Sequence, residues 1–279
     1  MTFTDPPDRR SARELGNLLR ARRERLQPAD VGLASGARRR TPGLRREEVA
    51  QLASISATYY AFLEQGRDIR PSGQVLDALS RALRLSPAER AHVHTLAGGG
   101  TAPAQVAEAL APGVQELVAR LQPDPAYVTG RRFDVLAANP AARLLWTDWA
   151  ALPAPERNML WWTFTEPAAR GVLVEWETEA SALLARYRAA AARHPGDPAF
   201  DELTDRLHHA SPDVRAWWPR HDVASLGSGT KRLRHPTLGE LELQHVVVQV
   251  AEDLEQKVVI FMAGERDRRR IAALSSPAP

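Results

Sequence analysis

The stretch from Leu44 to Gly66 constrains the fold most, because its apolar residues recur three and four positions apart on both sides of a short interruption. This spacing predicts two short helices joined by a tight corner, each with one buried face. Ala50 is small enough for a close helix crossing, Ile55 fills the corner, and Tyr60 and Leu63 continue the apolar stripe. The second helix is thereby left with a polar outer face.

That outer face carries no bulky charge, so it can lie in the major groove of DNA. Arginines lie nearby in sequence, and beside a candidate recognition helix they favour phosphate contact. An arginine run is more often a solvated surface, and an ordinary helical hairpin has similar apolar spacing. The predicted DNA-contacting residues are Arg38, Arg39, Arg40, Arg45, Arg46, Ser56, Ala57, Thr58, Tyr59, Gln65 and Arg67. The arginines are expected to supply most of the affinity, and Ser56 to Tyr59 the reading of bases.

Basic charge is concentrated in the first third of the chain. Residues 1–97 hold 17 arginines, no lysine and 11 acidic residues, a formal charge of +6, and the remainder carries −3 of the chain total of +3. All seven tryptophans lie outside this basic part. The split predicts one domain that meets a polyanion and a second domain with another role.

The basic part is predicted to be an all-α domain of five helices. Ser11 is a candidate cap for a first helix that ends near Leu26, preceded by a disordered arm over residues 1–10. The S-P-A-E capping box that begins at Ser86 opens the fifth helix.

A glycine-rich stretch, A-G-G-G-T-A-P, marks the linker between the two domains. The predicted division is a helical domain over 1–97, a linker over 98–104, a second domain over 105–270 and a tail over 271–279.

The second domain is predicted to be α+β, with one antiparallel sheet of about five strands and its helices packed on one face. A hairpin comes first, then a series of helices of which the longest is predicted over 166–194, then three more strands. The predicted strands are 126–129, 132–137, 230–235, 238–250 and 257–264.

The residues that usually carry catalysis do not form a recognisable pattern. Cysteine is absent, which excludes disulfides, thiolate zinc sites and cysteine nucleophiles. The histidines lack H-E-x-x-H spacing, and adjacent His208 and His209 would point to different faces of a helix. Gly227–Gly229 lacks the G-x-S-x-G spacing of a nucleophile elbow. We therefore expect no catalytic residue, no bound metal and no cofactor.

The cellular location is predicted from the absence of signal and membrane-spanning segments in the sequence. The N-terminal residues contain no apolar signal region, and no run approaches the roughly 20 apolar residues of a membrane helix. We expect a cytoplasmic protein that has no membrane partner.

Aromatic residues are dense in the second domain, and helices over a small sheet often enclose a ligand cavity. For any one of these rings, a place in the core is at least as good an explanation. Polar residues near them in sequence are candidates for orienting a ligand, and Arg157 could pair with a carboxylate. The predicted ligand-binding residues are Asn139, Arg157, Asn158, Trp161, Phe164, Trp217 and His221.

Several segments, in both domains and in order, resemble the MmyB-like family of bacterial transcription regulators. The segments that carry the resemblance are R-T-P-G-L-R-R-E-E-V-A-Q-L-A from Arg40, Y-Y-A-F-L-E-Q-G-R from Tyr59, P-S-G-Q-V-L-D-A-L-S-R-A-L-R-L from Pro71, V-L-A-A-N-P from Val135, E-R-N from Glu156, R-H-D-V from Arg220 and S-G-T-K-R-L-R-H-P-T-L-G-E-L from Ser228. The resemblance implies a lambda-repressor-like helix-turn-helix domain of the XRE type that binds double-stranded DNA. It further implies a PAS-like domain for a small fatty-acid-like or otherwise apolar ligand, and a homodimer.

Two positions depart from the family's pattern. Ser54 stands where a glycine usually forms the turn, and a left-handed serine costs about 1 kcal/mol. Ala138 stands where V-L-A-x-N-P usually has tryptophan, which would enlarge a pocket or change its ligand.

Two other functions compete with that of a ligand-responsive regulator. The second domain could be an enzyme that converts a small molecule, although no catalytic constellation supports this. It could also serve dimerisation alone, in which case a solid core would be expected where a cavity is predicted.

Overall fold

The computed structural model describes residues 7–33, 43–98, 108–224 and 227–275. Its internal contacts divide the chain into two compact units. The first unit comprises the described residues of Met1–Ala104, Arg188–Glu202 and Ala216–Ala224, and the second those of Gln105–Tyr187, Leu203–Arg215 and Ser225–Pro279. The predicted domain limits (1–97, 98–104, 105–270 and 271–279) stay a prediction.

The N-terminal part of the first unit contains the five predicted helices. They are α1 (Pro7–Arg25), α2 (Arg46–Leu52), α3 (Ala57–Glu64), α4 (Gly73–Ala82) and α5 (Pro87–Gly98), with a short 3₁₀ helix at Pro28–Val31. The predicted start of α1 is wrong, because the helix already begins at Pro7 and Ser11 is buried inside it. Proline is well suited to a first helical turn, where its missing N–H is not needed.

Serine side chains cap the starts of α3, α4 and α5. The Ser86 backbone N–H donates to Glu89 Oε2 at 2.6 Å, and the Glu89 N–H donates to Ser86 Oγ at 3.3 Å. This is the predicted capping box. Ser56 and Ser72 accept in the same way from backbone N–H groups three residues on, at the starts of α3 and α4.

The corner between α2 and α3 is closed by two backbone hydrogen bonds. The Ile55 N–H donates to the Ala50 carbonyl at 2.9 Å, and the Ser54 N–H donates to the Gln51 carbonyl at 3.1 Å. Ser54 has φ 55, the left-handed conformation that glycine usually adopts at this point. The strained serine predicted from the sequence is confirmed.

The core of the N-terminal helices is mostly leucine. Each fully buried leucine contributes about 1.5–3 kcal/mol relative to exposure. The largest side chains with almost no exposure are Leu18, Leu19, Leu44, Tyr60, Leu79 and Leu83.

Gly16 allows α1 to approach α3 closely. A Cβ atom at this position would lie 2.6 Å from the Leu63 carbonyl oxygen and 2.7 Å from that of Glu64. Backbone atoms cannot swing aside as a flexible side chain can, so these positions fix how near the two helices pack.

The second unit is built on one antiparallel sheet of five strands, in the order β2-β1-β5-β4-β3. The strands are β1 (Ala126–Thr129), β2 (Val135–Ala138), β3 (Gly229–His235), β4 (Gly239–Val250) and β5 (Asp253–Ala263). The α+β class and the predicted number of strands are confirmed. In the central pairs, Val259 of β5 lies opposite Tyr127 on one side and Val247 on the other.

The remaining helices precede, separate or follow the strands. They are α6 (Val114–Arg120), α7 (Pro140–Leu145), α8 (Met159–Thr165), α9 (Pro167–Val172), α10 (Trp176–Ala191), α11 (Pro198–Ala210), α12 (Pro212–Trp217) and α13 (Glu265–Ser275), with 3₁₀ helices at Trp149–Ala151, Ala154–Glu156 and Trp218–Arg220. The single helix predicted over 166–194 is wrong. It breaks after Val172, where Leu173 bridges to Leu233 and the Val174 N–H donates to the Arg232 carbonyl at 3.2 Å.

Helices cover both faces of the sheet, so the prediction of helices on one face is also wrong. Successive residues of a strand point to opposite faces. Val128 and Val258 pack with Val114 and Val118 of α6. Their strand neighbours Tyr127, Thr129, Lys257 and Val259 line the other face, together with residues of α8 and α10.

We expect Gly16→Ala to lower the free energy of unfolding by about 1–3 kcal/mol, the usual cost of overpacking. Chemical denaturation of the full chain measures this. Gly73→Ala is the matched control, because a Cβ at Gly73 meets nothing within 4 Å. Equal effects of the two substitutions would contradict the proposed close approach.

We expect Ser54→Gly to raise the free energy of unfolding by about 0.5–1 kcal/mol. Glycine removes a left-handed strain of about 1–2 kcal/mol and loses part of that gain through its more flexible unfolded state. Ser54→Ala keeps the Cβ atom and serves as the control. If alanine stabilised the protein as much as glycine, strain at this φ would not be the cause.

Candidate functional site

The outer face of α3 combines exposed polar groups with side chains that also reach the core. Ser56 and Thr58 are exposed, whereas Ala57 and Tyr59 are half-buried and pack against the core of the first unit. Ser56 Oγ accepts the Tyr59 N–H at 3.1 Å, so its oxygen serves the helix cap while its O–H remains a donor. This face therefore presents short hydroxyl and methyl groups to solvent.

Two further predicted residues lie just beyond α3. Gln65 and Arg67 are both exposed, and Arg67 Nε donates to Gln65 Oε1 at 3.0 Å. The Arg67 guanidinium also lies 3.9 Å from the centre of the Phe62 ring. These contacts preorganise one cation at the end of the face.

The start of α2 carries the predicted phosphate-contacting arginines. Arg45 and Arg46 are exposed, and the Arg45 backbone N–H donates to Glu48 Oε2 at 2.7 Å. Arg46 Nε donates to Glu64 Oε2 at 2.6 Å, so this arginine also has a structural contact. Arg38, Arg39 and Arg40 lie outside the described residues.

Glu64 ties the two helices of this site to α1. Its buried carboxylate accepts from Arg23 Nε at 2.5 Å as well as from Arg46, and Arg23 Nη1 donates to the Leu44 carbonyl at 3.0 Å. Burial acts to raise the pKa of Glu64, but the hydrogen bonds from Arg23 and Arg46 hold it below the ordinary value. The carboxylate is therefore ionised at neutral pH and fixes where α3 lies relative to the start of α2.

The second unit contains a cleft between its sheet and helices α8 and α10. It encloses about 490 Å³ of empty space, part of it open to solvent. The centre of a water molecule can occupy about 50 Å³ of it, where one water needs roughly 10–15 Å³. The lining residues are Tyr127, Thr129, Phe133, Met159, Leu183, Arg186, Gly227, Lys231, His245, Val247, Lys257, Val259 and Phe261. The cleft is narrow and predominantly apolar.

Three cations lie in this apolar lining. Lys231 Nζ donates to Glu179 Oε2 at 2.9 Å, and Lys257 Nζ donates to the Glu255 carbonyl at 3.2 Å and lies 5.3 Å from the centre of the Phe133 ring. Arg186 is half-buried. Burial lowers the pKa of both Arg186 and Lys231, and Glu179 opposes that shift. An acidic group entering the cleft would offset this cost of burying positive charge.

The two predicted ligand-binding asparagines have structural roles. Asn139 Oδ1 accepts the N–H groups of Ala126 and Ala142, and its Nδ2 donates to two carbonyls. Asn158 Oδ1 accepts the N–H groups of Leu160 and Trp161, and its Nδ2 is likewise used twice. Each amide makes all four of its hydrogen bonds to the protein.

Three more of the predicted residues lie elsewhere in the second unit. Arg157 is exposed and donates to the carbonyls of Leu152 and Ala150, which stabilises the loop before α8. The half-buried Trp161 carries the Arg206 guanidinium over its ring at 4.3 Å. Phe164 is buried against Trp176, with 6.1 Å between ring centres.

Trp217 and His221 belong to the first unit and are not brought together with the other five. Trp217 is buried with Arg220 over its ring at 5.6 Å, and His221 Nδ1 lies 3.2 Å from Glu14 Oε1. None of the seven predicted residues belongs to the lining of the cleft. Their contact with a ligand stays a prediction.

The sequence does contain a signal for the cleft. Lys257, Val259 and Phe261 alternate along β5, so one strand face combines a buried cation with apolar groups. Lys231 of β3 and Arg186 of α10 then join it from distant parts of the chain. Only the three-dimensional fold identifies those two as neighbours.

Residues 7–33, 43–98, 108–224 and 227–275 contain neither a metal-binding cluster nor a membrane-spanning helix. In those ranges no three or more acidic, histidine or cysteine side chains are grouped so that they could hold a metal ion. No helix there has the length and apolar character needed to cross a membrane.

Comparison with known families assigns both parts of the chain. Residues 14–93 match a helix-turn-helix domain, which includes all of α2 and α3. Residues 110–276 match the MmyB-like transcription regulator ligand binding domain, which includes the sheet and the cleft. No curated protein matches the chain. With more than half of its length inside the second match, the chain belongs to the MmyB-like family of helix-turn-helix transcription regulators.

Proposed function

We propose that this DNA-binding regulator senses a small organic acid with an apolar, fatty-acid-like tail, held in the cleft of the second unit. The observation that carries the proposal is Arg186, a half-buried guanidinium in an apolar lining. Among the described residues, no carboxylate lies within 4.0 Å of the Arg186 guanidinium. The nearby Glu179 pairs with Lys231 instead. A ligand carboxylate would supply the missing partner through two parallel hydrogen bonds.

The apolar side of the cleft supports the tail. Val247, Val259 and Phe261 come from the sheet, and Met159 and Leu183 face them from α8 and α10. A slender chain matches this narrow space better than a bulky ring, and each buried CH₂ contributes about 0.8 kcal/mol. The cleft thus offers separate surfaces to the head group and the tail.

In this proposal the second unit is a sensor and not an enzyme, and the protein acts in the cytoplasm as a homodimer without a cofactor. The helix-turn-helix residues named above contact double-stranded DNA. Arg45 binds phosphate, and Thr58 reads base edges from the exposed face of α3. A dimer would engage two half-sites about 34 Å apart.

We expect the full chain to bind decanoate more tightly than decanol, and we expect Arg186→Gln to remove that preference. The lost charge-assisted hydrogen bonds, worth about 1.5–3 kcal/mol, correspond to a loss in decanoate affinity of about 10- to 150-fold. Isothermal titration calorimetry measures both ligands.

Arg234→Gln is the matched control, because this arginine lies on β3 with 60% of its side chain exposed. Equal binding of decanoate and decanol by the unaltered protein would contradict an acid site. No binding of either ligand would favour a second unit that serves dimerisation alone.

For DNA, we expect Arg45→Gln to weaken binding to all sequences alike and to reduce the salt dependence of log K by about 0.9, the value for one phosphate contact. Thr58→Ala should instead change which sequences are preferred. Selection from a randomised duplex library, followed by salt titration of the enriched duplexes, measures both effects.

Arg120→Gln is the control for loss of one charge, because Arg120 lies in the second unit with 77% of its side chain exposed. Enriched sequences with two half-sites one helical turn apart would support the dimer. An unchanged sequence preference in Thr58→Ala would contradict base reading by α3.

A further inference from the structure

An acidic residue from the second half of the chain pairs with two arginines of α1 inside the first unit. Asp222 Oδ1 lies 2.8 Å from Arg25 Nη1 and 3.3 Å from Arg22 Nη2. Arg25 Nη2 donates to the Arg220 carbonyl at 2.6 Å, and Arg22 Nη2 donates to the His221 carbonyl at 3.2 Å. Residues 218–222, here called the Asp222 segment, thus occupy donors of both arginines.

These arginines lie at the end of α1 that leads to the DNA-contacting elements. The Leu44 N–H donates to the Arg23 carbonyl at 3.0 Å, and Arg23 Nη1 returns a bond of 3.0 Å to the Leu44 carbonyl. Arg45 and the N-terminus of α2 follow at once. Arg25 therefore belongs to the same basic end of the unit as the arginine proposed to bind phosphate.

The Asp222 segment is held in a defined conformation. His221 has φ 51, a left-handed conformation that costs a histidine about 1–3 kcal/mol unless its surroundings impose it. Arg188 and Glu14 provide those surroundings. Arg188, only 4% exposed, donates to the Trp218 carbonyl, and its Nη1 lies 3.1 Å from His221 Nδ1. Glu14 in turn pairs with Arg188. This strained turn leads directly to Asp222, whose carboxylate then meets Arg25.

The contact between Asp222 and Arg25 is nonetheless accessible to solvent. About two fifths of each side chain is exposed, 41% for Arg25 and 37% for Asp222. Exposed ion pairs are weak because water and salt screen them. A carboxylate and a phosphate offer guanidinium the same kind of paired oxygen acceptors, so DNA can replace this partner.

We propose that Arg25 is a further phosphate-contacting residue and that Asp222 is an intramolecular phosphate mimic that occupies it in the absence of DNA. The Asp222 segment then makes an autoinhibitory contact, since each DNA-binding event must first displace it. The inference rests on DNA binding by the helix-turn-helix and assigns to Arg25 a role that the sequence did not predict.

Asp222→Asn tests the proposal by fluorescence anisotropy with the full chain and a labelled mixed-sequence duplex, over a series of salt concentrations. We expect affinity at 0.1 M salt to rise about two- to fivefold, the range expected for loss of an exposed ion pair. The slope of log K against log salt should change little, because the complex contains the same Arg25–phosphate contact in both forms. In an Arg25→Gln background the same substitution should have no effect.

Asp201→Asn is the matched control, because Asp201 pairs with Arg10 on α1 in the same unit and its substitution changes charge equally. A rise in affinity that persists without Arg25, or that Asp201→Asn reproduces, would overturn the proposal. Unchanged affinity in Asp222→Asn would do the same. Absence of duplex binding by every form would instead refute DNA binding itself.

Discussion

The buried carboxylate of Glu64 is the interaction on which the DNA-binding part depends. It joins α3 to α1 through Arg23 and to the start of α2 through Arg46. Removing one partner of a buried pair typically costs 3–5 kcal/mol, because the other charge is left without compensation. A serine or threonine on the face of α3 can read DNA only if that face keeps its orientation relative to the phosphate-contacting residues. Glu64 supplies this constraint from a buried position at the C-terminal end of α3.

The formal charge of a contiguous stretch of sequence therefore overestimates how much positive charge its folded surface offers to DNA. Residues 1–97 carry a formal +6, yet several of their arginines have acidic partners in the fold. Glu64 engages Arg23 and Arg46 from within that stretch. Asp222, more than a hundred residues further along, engages Arg25. The positive charge available to DNA depends on which of these carboxylates a phosphate group can displace. Glu64 is buried and inaccessible to phosphate, whereas Asp222 is partly exposed.

Local signals in the sequence were enough for most of the elements. Capping at Ser86, the left-handed turn at Ser54 and the apolar alternation of the strands each depend on residues a few positions apart. The candidate ligand site was harder to predict from the sequence, because polar residues next to aromatic ones can equally well form hydrogen bonds that stabilise the backbone. Asn139 precedes a proline at the start of α7, which is already a capping signal, and its amide has no hydrogen-bonding capacity left for a ligand. Arg186, Lys231 and Lys257 come together in the cleft only because distant strands pack against α10.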